Sequence, residues 1–171
     1  VGVKATATWL PWSKREIEED KVLARARNAA YRLLTYRPRS RVELVQKLRD
    51  KEFDEDTIDS VVAGLVRLGY VNDTEFARQW ASGRIRLRGF GRRRIEQELR
   101  NKGISREMVR ETLQDVFGEL SEEDVARREA EKRLKTLGRF DPEVRRRRLA
   151  GFLERKGFAS DIIRTVLRMV L

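Results

Sequence analysis

The chain contains no cysteine and no histidine, and only three prolines. Without cysteine there are no disulfides and no thiolate chemistry. Without histidine there is no imidazole acid–base catalysis, and the two absences together exclude zinc sites of the usual kind. An enzyme built from this sequence would depend on carboxylates, and no pair of them stands out by its spacing. Long apolar runs are missing as well. The longest extends from Val61 to Val66, six residues including Gly64, against about 20 for a membrane-crossing helix. The first residues also lack the basic-then-apolar profile of a secretion signal. These absences predict a soluble cytoplasmic protein with no metal, no cofactor and no membrane partner.

Charge, by contrast, is abundant. Charged residues make up 39% of the 171 positions, where about 25% is usual. Hydrophobic residues still reach 40%, enough for a packed core, and 39 Lys+Arg against 28 Asp+Glu leave a net charge of +11. Such an excess predicts a polyanionic partner: nucleic acid first, an acidic protein face second, an anionic membrane third.

One pattern occurs three times. Leu48-Arg-Asp-Lys-Glu-Phe53, Leu99-Arg-Asn-Lys-Gly-Ile104 and Leu153-Glu-Arg-Lys-Gly-Phe158 lie 51 and 54 residues apart (99 − 48 and 153 − 99). Leu44, Ile95 and Leu149 each precede the shared leucine by four residues. Downstream, Ile58, Val62 and Leu65 correspond to Val109, Leu113 and Val116, and then to Ile163, Leu167 and Val170. Agreement at fixed offsets marks an internal repeat. Steps of three and four residues place these side chains on single helix stripes, and no strand-like alternation occurs.

Turn chemistry agrees with a helical unit. Gly103 and Gly157 stand where a left-handed φ ends a helix, and Ser105 can cap the next one. Glu52 takes the glycine's place in the first unit, which predicts a different turn there. Ser40-Arg-Val-Glu43 fits a capping box, and Asp141-Pro142 places a cap before a proline at the first helical position. Upstream helices over about 22–36, 73–88 and 122–137 complete three units. The expected architecture is all-α, an elongated, curved solenoid of three tandem three-helix repeats covering 22–70, 71–120 and 121–171. Residues 1–21 read as an N-terminal arm, with Trp9 and Trp12 around Pro11 either resting on the first repeat or serving as a partner-binding hook.

The quoted units also resemble a known family. Ser40-Arg-Val-Glu-Leu44, Gly69-Tyr-Val-Asn-Asp73 with Phe76-Ala77, Gly91-Arg-Arg-Arg-Ile95 and Glu98-Leu-Arg-Asn-Lys-Gly-Ile104, in this order, look like the signature of RecX, the bacterial regulator of the RecA recombinase. The resemblance runs from about residue 24 to the end. It implies tandem three-helix repeats and a monomer that binds along the groove of the RecA–single-stranded DNA filament. It further implies inhibition of strand exchange and of RecA's ATPase, in recombination, DNA repair and the SOS response, by a protein that is not itself an enzyme. Arg92 stands where many relatives carry proline, and the arm has no family pattern.

Basic residues gather at one place in each unit. Arg84, Arg86, Arg88, Arg92, Arg93 and Arg94 surround Gly89-Phe90-Gly91; Arg37, Arg39 and Arg41 occupy the same junction of the first unit; Arg145, Arg146, Arg147 and Arg148 open the second helix of the third. They are the candidate residues for binding the filament, and single-stranded DNA weakly and without sequence preference. Gly89-Phe-Gly91 follows no strand and no Walker lysine accompanies it, so it reads as a turn between helices. Arg92, Arg93 and Arg94 would stand in the first turn of a helix, opposing its dipole, unless an anion bound there. Their replacement by alanine would then leave folding intact.

Asp54, Asn72, Asp73 and Glu122-Glu123-Asp124 fall at helix starts, where capping explains them better than metal binding. Phe76 and Trp80 read as core, and Phe90 either as the best candidate for an exposed aromatic or as a hydrophobic contact across the turn. A helix-turn-helix protein reading a duplex would need a basic third helix. The first unit's third helix instead begins Asp54-Glu-Asp56. The alternative reading is a stand-alone nucleic-acid-binding helical protein that contacts phosphate backbones.

Overall fold

The computed structural model describes residues 14–171, so the tryptophan-containing part of the arm lies outside the described residues. Nine α-helices and no strand occur among them. The first repeat holds α1 (Lys14–Tyr36), α2 (Arg41–Arg49) and α3 (Glu55–Arg67). The second holds α4 (Asp73–Arg88), α5 (Arg92–Asn101) and α6 (Arg106–Glu119). The third holds α7 (Glu122–Leu134), α8 (Pro142–Lys156) and α9 (Ser160–Val170).

Two bounds differ from expectation. α1 starts at Lys14 rather than near residue 22. The segment Lys14-Arg-Glu-Ile-Glu-Glu-Asp20 consists largely of good helix formers. α7 ends at Leu134, and a tight turn follows in which the Leu137 N–H donates to the Leu134 carbonyl at 2.9 Å.

The recurrent leucine turn is one hydrogen-bonded motif. The N–H groups of Phe53, Ile104 and Phe158 donate to the carbonyls of Leu48, Leu99 and Leu153 at 3.4, 3.1 and 3.2 Å. That is the long bond of a helix-ending Schellman turn, which brings the two apolar residues together. All three leucines are fully buried, so truncating one to alanine would cost about 2–5 kcal/mol. Gly103 and Gly157 have φ of +78° and +91°, and Glu52 has +62°. The glutamate therefore does not alter the turn, contrary to the sequence expectation. The paired leucine and phenylalanine hold the left-handed residue in place even where a side chain makes it unfavourable.

The third helix of each repeat packs against the first: α3 on α1, α6 on α4 and α9 on α7. Two alanines four residues apart on each first helix permit the close approach. Ala26 and Ala30, Ala77 and Ala81, and Ala126 and Ala130 are all fully buried.

By contacts the chain forms two compact units. The first comprises residues up to Arg39 with Leu44–Val71, and the second Ser40–Glu43 with Asn72–Leu171. In the first, Leu44, Leu48, Ile58, Val62 and Leu65 close over the α1 alanines. Tyr31 and Tyr70 meet edge to face there, with ring centroids 5.5 Å apart. In the second, a single core runs through the second and third repeats, from Phe76 and Ile95 to Phe158 and Leu167. Among the described residues no helix is long and apolar enough to cross a membrane.

Candidate polyanion interface

The run Arg84 to Arg94 spans the end of α4, the turn and the start of α5. Gly89 caps α4 in the left-handed conformation, with its N–H on the Ile85 carbonyl at 3.0 Å. Gly91 precedes α5 and is extended; what constrains it is space. A Cβ built there would lie 2.7 Å from the Gly157 carbonyl. The N-terminus of α5 is docked on the C-terminus of α8. The Gly91 N–H donates to the Lys156 carbonyl at 2.9 Å and the Arg93 N–H to the Gly157 carbonyl at 3.1 Å. The Arg92 N–H donates to Glu122 Oε1 at 2.8 Å.

An anion does sit at this helix start, but it is the chain's own Glu122 carboxylate. The first N–H groups of α5 already have acceptors, two of them carbonyls at the negative end of α8. Arg92 and Arg94 are part of the same joint. Arg92 Nε lies 3.6 Å from Glu122 Oε2, and its guanidinium stands 5.0 Å from the Phe117 ring centroid. Arg94 donates to the Arg155 carbonyl at 3.1 Å and lies over Phe90 at 4.1 Å. Phe90 is half-buried against the core, which favours the hydrophobic contact over the exposed aromatic.

The first residues of α2 repeat this joint within the second compact unit. Ser40, fully buried, accepts the Glu43 N–H at 3.1 Å and donates its hydroxyl to the Lys102 carbonyl at 2.6 Å. The Arg41 N–H donates to Asp73 Oδ1 at 2.7 Å, as Arg92 does to Glu122. Asp73 and Glu122 each open the first helix of the next repeat. Both acids therefore bind a neighbouring helix terminus, a role beyond capping their own helix.

The motif lysines close the two joints. Lys102 Nζ lies 2.6 Å from Glu43 Oε1 and 3.9 Å from the Trp80 ring centroid. Lys156 Nζ lies 2.9 Å from Glu129 Oε2 and also donates to the Arg88 carbonyl. Burial tends to raise the Glu129 carboxyl pKa. Hydrogen bonds and charge from Lys132 and Lys156 outweigh it and hold the group below its ordinary value. The joints were not read from sequence, although the acid one residue after each N-cap, Asp73 after Asn72 and Glu122 after Ser121, was visible.

The candidate arginines now separate into two groups. Arg84 is taken up by Glu98, with Nε 2.6 Å from Oε2 and the guanidinium 4.2 Å from the Trp80 ring centroid. Arg37 and Arg39 donate to the Pro38 and Leu33 carbonyls, and Arg148 lies 3.8 Å from the Phe140 ring centroid. Arg145 is half-buried, its Nε enclosed without a hydrogen-bond partner. The side chains of Arg41, Arg86, Arg88, Arg93, Arg146 and Arg147 are exposed, and none pairs with another described residue. Arg93 and Arg147 share a register, each two residues before the apolar anchor, Ile95 or Leu149.

Of the candidates at helix starts, Asp54 and Asn72 cap their own helices, and with Ser121 and Asp141 they accept the N–H groups of Thr57, Glu75, Asp124 and Val144. Asp124 instead pairs with Arg127 at 2.9 Å. No metal-holding cluster of acids occurs among the described residues. Phe76 is buried and stacks with Trp80, centroids 5.9 Å apart, as expected of core residues. Trp80 also donates its indole N–H to Glu98 at 2.9 Å.

Helical repeats of this kind, joined through helix termini and with arginines facing solvent, define an α-helical repeat protein. Comparison gives the family. Residues 26–65, 72–113 and 121–167 match the first, second and third three-helix domains of RecX in turn. The chain belongs to the RecX family of regulatory proteins. It is 39% identical over 153 residues to the regulatory protein RecX of Amycolatopsis mediterranei, covering 90% of this chain and 87% of that one. It is 35% identical over 146 residues to that of Streptomyces coelicolor, covering 85% and 77%. The crystal structure of RecX from Lactobacillus salivarius has the same fold, with a TM-score of 0.79 at 24% identity over 88% of this chain and 97% of that one. A second crystal structure, of a regulatory protein RecX, gives 0.80 at 21% identity over 92% and 78%.

Proposed function

We propose that the chain regulates the RecA recombinase, mainly as an inhibitor, by binding in the groove of the RecA–single-stranded DNA filament as a cytoplasmic monomer. Family membership supports the regulatory role. The observation that carries the mode of binding is the set of arginines left without partners among the described residues: Arg86, Arg88 and Arg93 in the second repeat, Arg146 and Arg147 in the third, Arg41 in the first. An arginine held by a glutamate inside its own chain offers little to a phosphate, whereas an exposed one releases counterions when it meets one. No reaction is assigned to the chain. Its part would be to occupy the groove and hinder turnover by RecA.

The test is RecA's ATPase on single-stranded DNA with this protein titrated in. Inhibition well below one molecule per RecA protomer is expected. Inhibition only at amounts that coat bare DNA would favour a stand-alone nucleic-acid binder instead.

A further inference from the structure

The turn between α4 and α5 is held by two adjacent residues at the end of α8. Lys156 donates its ammonium to the Arg88 carbonyl, and its own carbonyl accepts the Gly91 N–H at 2.9 Å. The Gly157 carbonyl accepts the Arg93 N–H at 3.1 Å. These bonds fix the backbone from Arg88 to Arg93. The side chains of both arginines are exposed and unpaired among the described residues. An arginine side chain is flexible, so the backbone beneath it decides which phosphates it can reach.

Both sides of this joint carry glycine, and the need is for contact rather than conformation. Gly91 has φ −83°, which any residue adopts. A Cβ there would nonetheless lie 2.7 Å from the Gly157 carbonyl and 2.7 Å from the Phe158 ring, so something would have to shift. Gly157 is left-handed, but Glu52 holds the same turn at φ +62° with a full side chain. What a Cβ at Gly157 would meet is the Arg94 backbone nitrogen, at 2.5 Å. Gly69 supplies the contrast: its φ is +77°, and a Cβ there would meet nothing within 4 Å. The corresponding joint of α2 is made through a side chain. Ser40 precedes Leu44 by four residues as Gly91 precedes Ile95, and it reaches the Lys102 carbonyl with its hydroxyl. At α5 the two glycines bring backbone directly onto backbone.

We infer that Gly91 and Gly157 are positioning residues for polyanion binding. By letting α5 sit on the end of α8, they set where Arg88 and Arg93 stand relative to Arg147, which lies ten residues before Gly157 and so roughly 15 Å back along the helix. Groups held at fixed separations meet a row of phosphates without a further ordering cost. The inference rests on the phosphate-binding reading above.

The experiment measures binding of the intact chain to bare single-stranded DNA as salt is varied, together with amide exchange at positions 91 and 93. Those N–H groups lie where α5 offers no intrahelical acceptor, so their protection reports the joint alone. Gly91→Ala and Gly157→Ala should each speed that exchange by about tenfold, the equivalent of one lost hydrogen bond. Each should also flatten the slope of log affinity against log salt by about 0.7–1.4, as one or two phosphates are no longer met. Gly91→Ala introduces no φ strain, so it carries the test even if Gly157→Ala fails to fold. Gly69→Ala, with the left-handed strain but no joint, should lower the melting temperature and leave exchange and slope as in wild type. A merely structural role would lower affinity alike at every salt concentration and keep the slope. A wild-type slope in the joint variants, with exchange faster, would therefore overturn the positioning role. Unchanged exchange would overturn the need for glycine at the joint. A wild-type chain whose affinity ignores salt would instead sink the phosphate reading, and this inference with it.

Discussion

Glu52 and Glu129 show what single residues cost and contribute. Glu52 occupies a left-handed position, φ +62°, that its counterparts fill with glycine. A side chain there costs roughly 1–2 kcal/mol, and glycine gives back about 0.4–1 kcal/mol through the greater freedom of the unfolded chain. Glu52→Gly should therefore stabilise the first unit by somewhat under about 1 kcal/mol, read as a higher urea midpoint at unchanged slope. A lower midpoint would mean that the carboxylate makes a contribution the turn geometry does not reveal. Glu129 is different, because its pKa is held below the ordinary 4.5 despite burial. A depressed carboxyl stabilises the fold above its ordinary pKa and loses that contribution as pH falls through the folded value. Glu129→Gln should be destabilised at pH 7, and its gap from wild type should close below about pH 4.5. A gap that stays constant into acid would mean the carboxylate's charge does not matter.

At the scale of elements, the helices were legible in the sequence and the joints between them were not. The leucine turn is visible because all its parts lie within six residues, Leu99 to Ile104. The joint at α5 relies on the Arg92 N–H meeting Glu122, 30 positions away, and that at α2 on Ser40 meeting Lys102, 62 positions away. Nothing local signals such pairs. The alanine pairs that let α3, α6 and α9 approach were legible but easy to miss, since alanine barely marks a hydrophobic stripe. The arginine run shows the same limit. Composition located the candidate cluster but could not say that Arg84, Arg92 and Arg94 are held by their own chain while Arg93 is not. The pair Arg92→Ala with Arg94→Ala should cost about 1–2 kcal/mol, from two cation–π contacts and the hydrogen bond to Arg155, less a little helix propensity. Arg93→Ala should stay within about 0.5 kcal/mol. Thermal melts on the two variants test this, and equal stability would return all three to a solvated face.

For the whole molecule, the repeats suggest a division of labour. Acids and some arginines hold neighbouring helices together, and a smaller set of arginines, of which Arg93 and Arg147 share a register, remains for a polyanion. A variant with alanine at five of that set, Arg86, Arg88, Arg93, Arg146 and Arg147, removes five charges without touching a joint side chain. Such surface changes are each within about 0.5 kcal/mol, so the melting temperature should move little. The decisive measurement is the amount of this variant needed for half-inhibition of RecA's ATPase on single-stranded DNA, beside wild type. An increase of at least about tenfold is expected, since losing several phosphate contacts lowers affinity steeply. A half-inhibition point equal to that of wild type, in a variant that melts normally, would contradict the account.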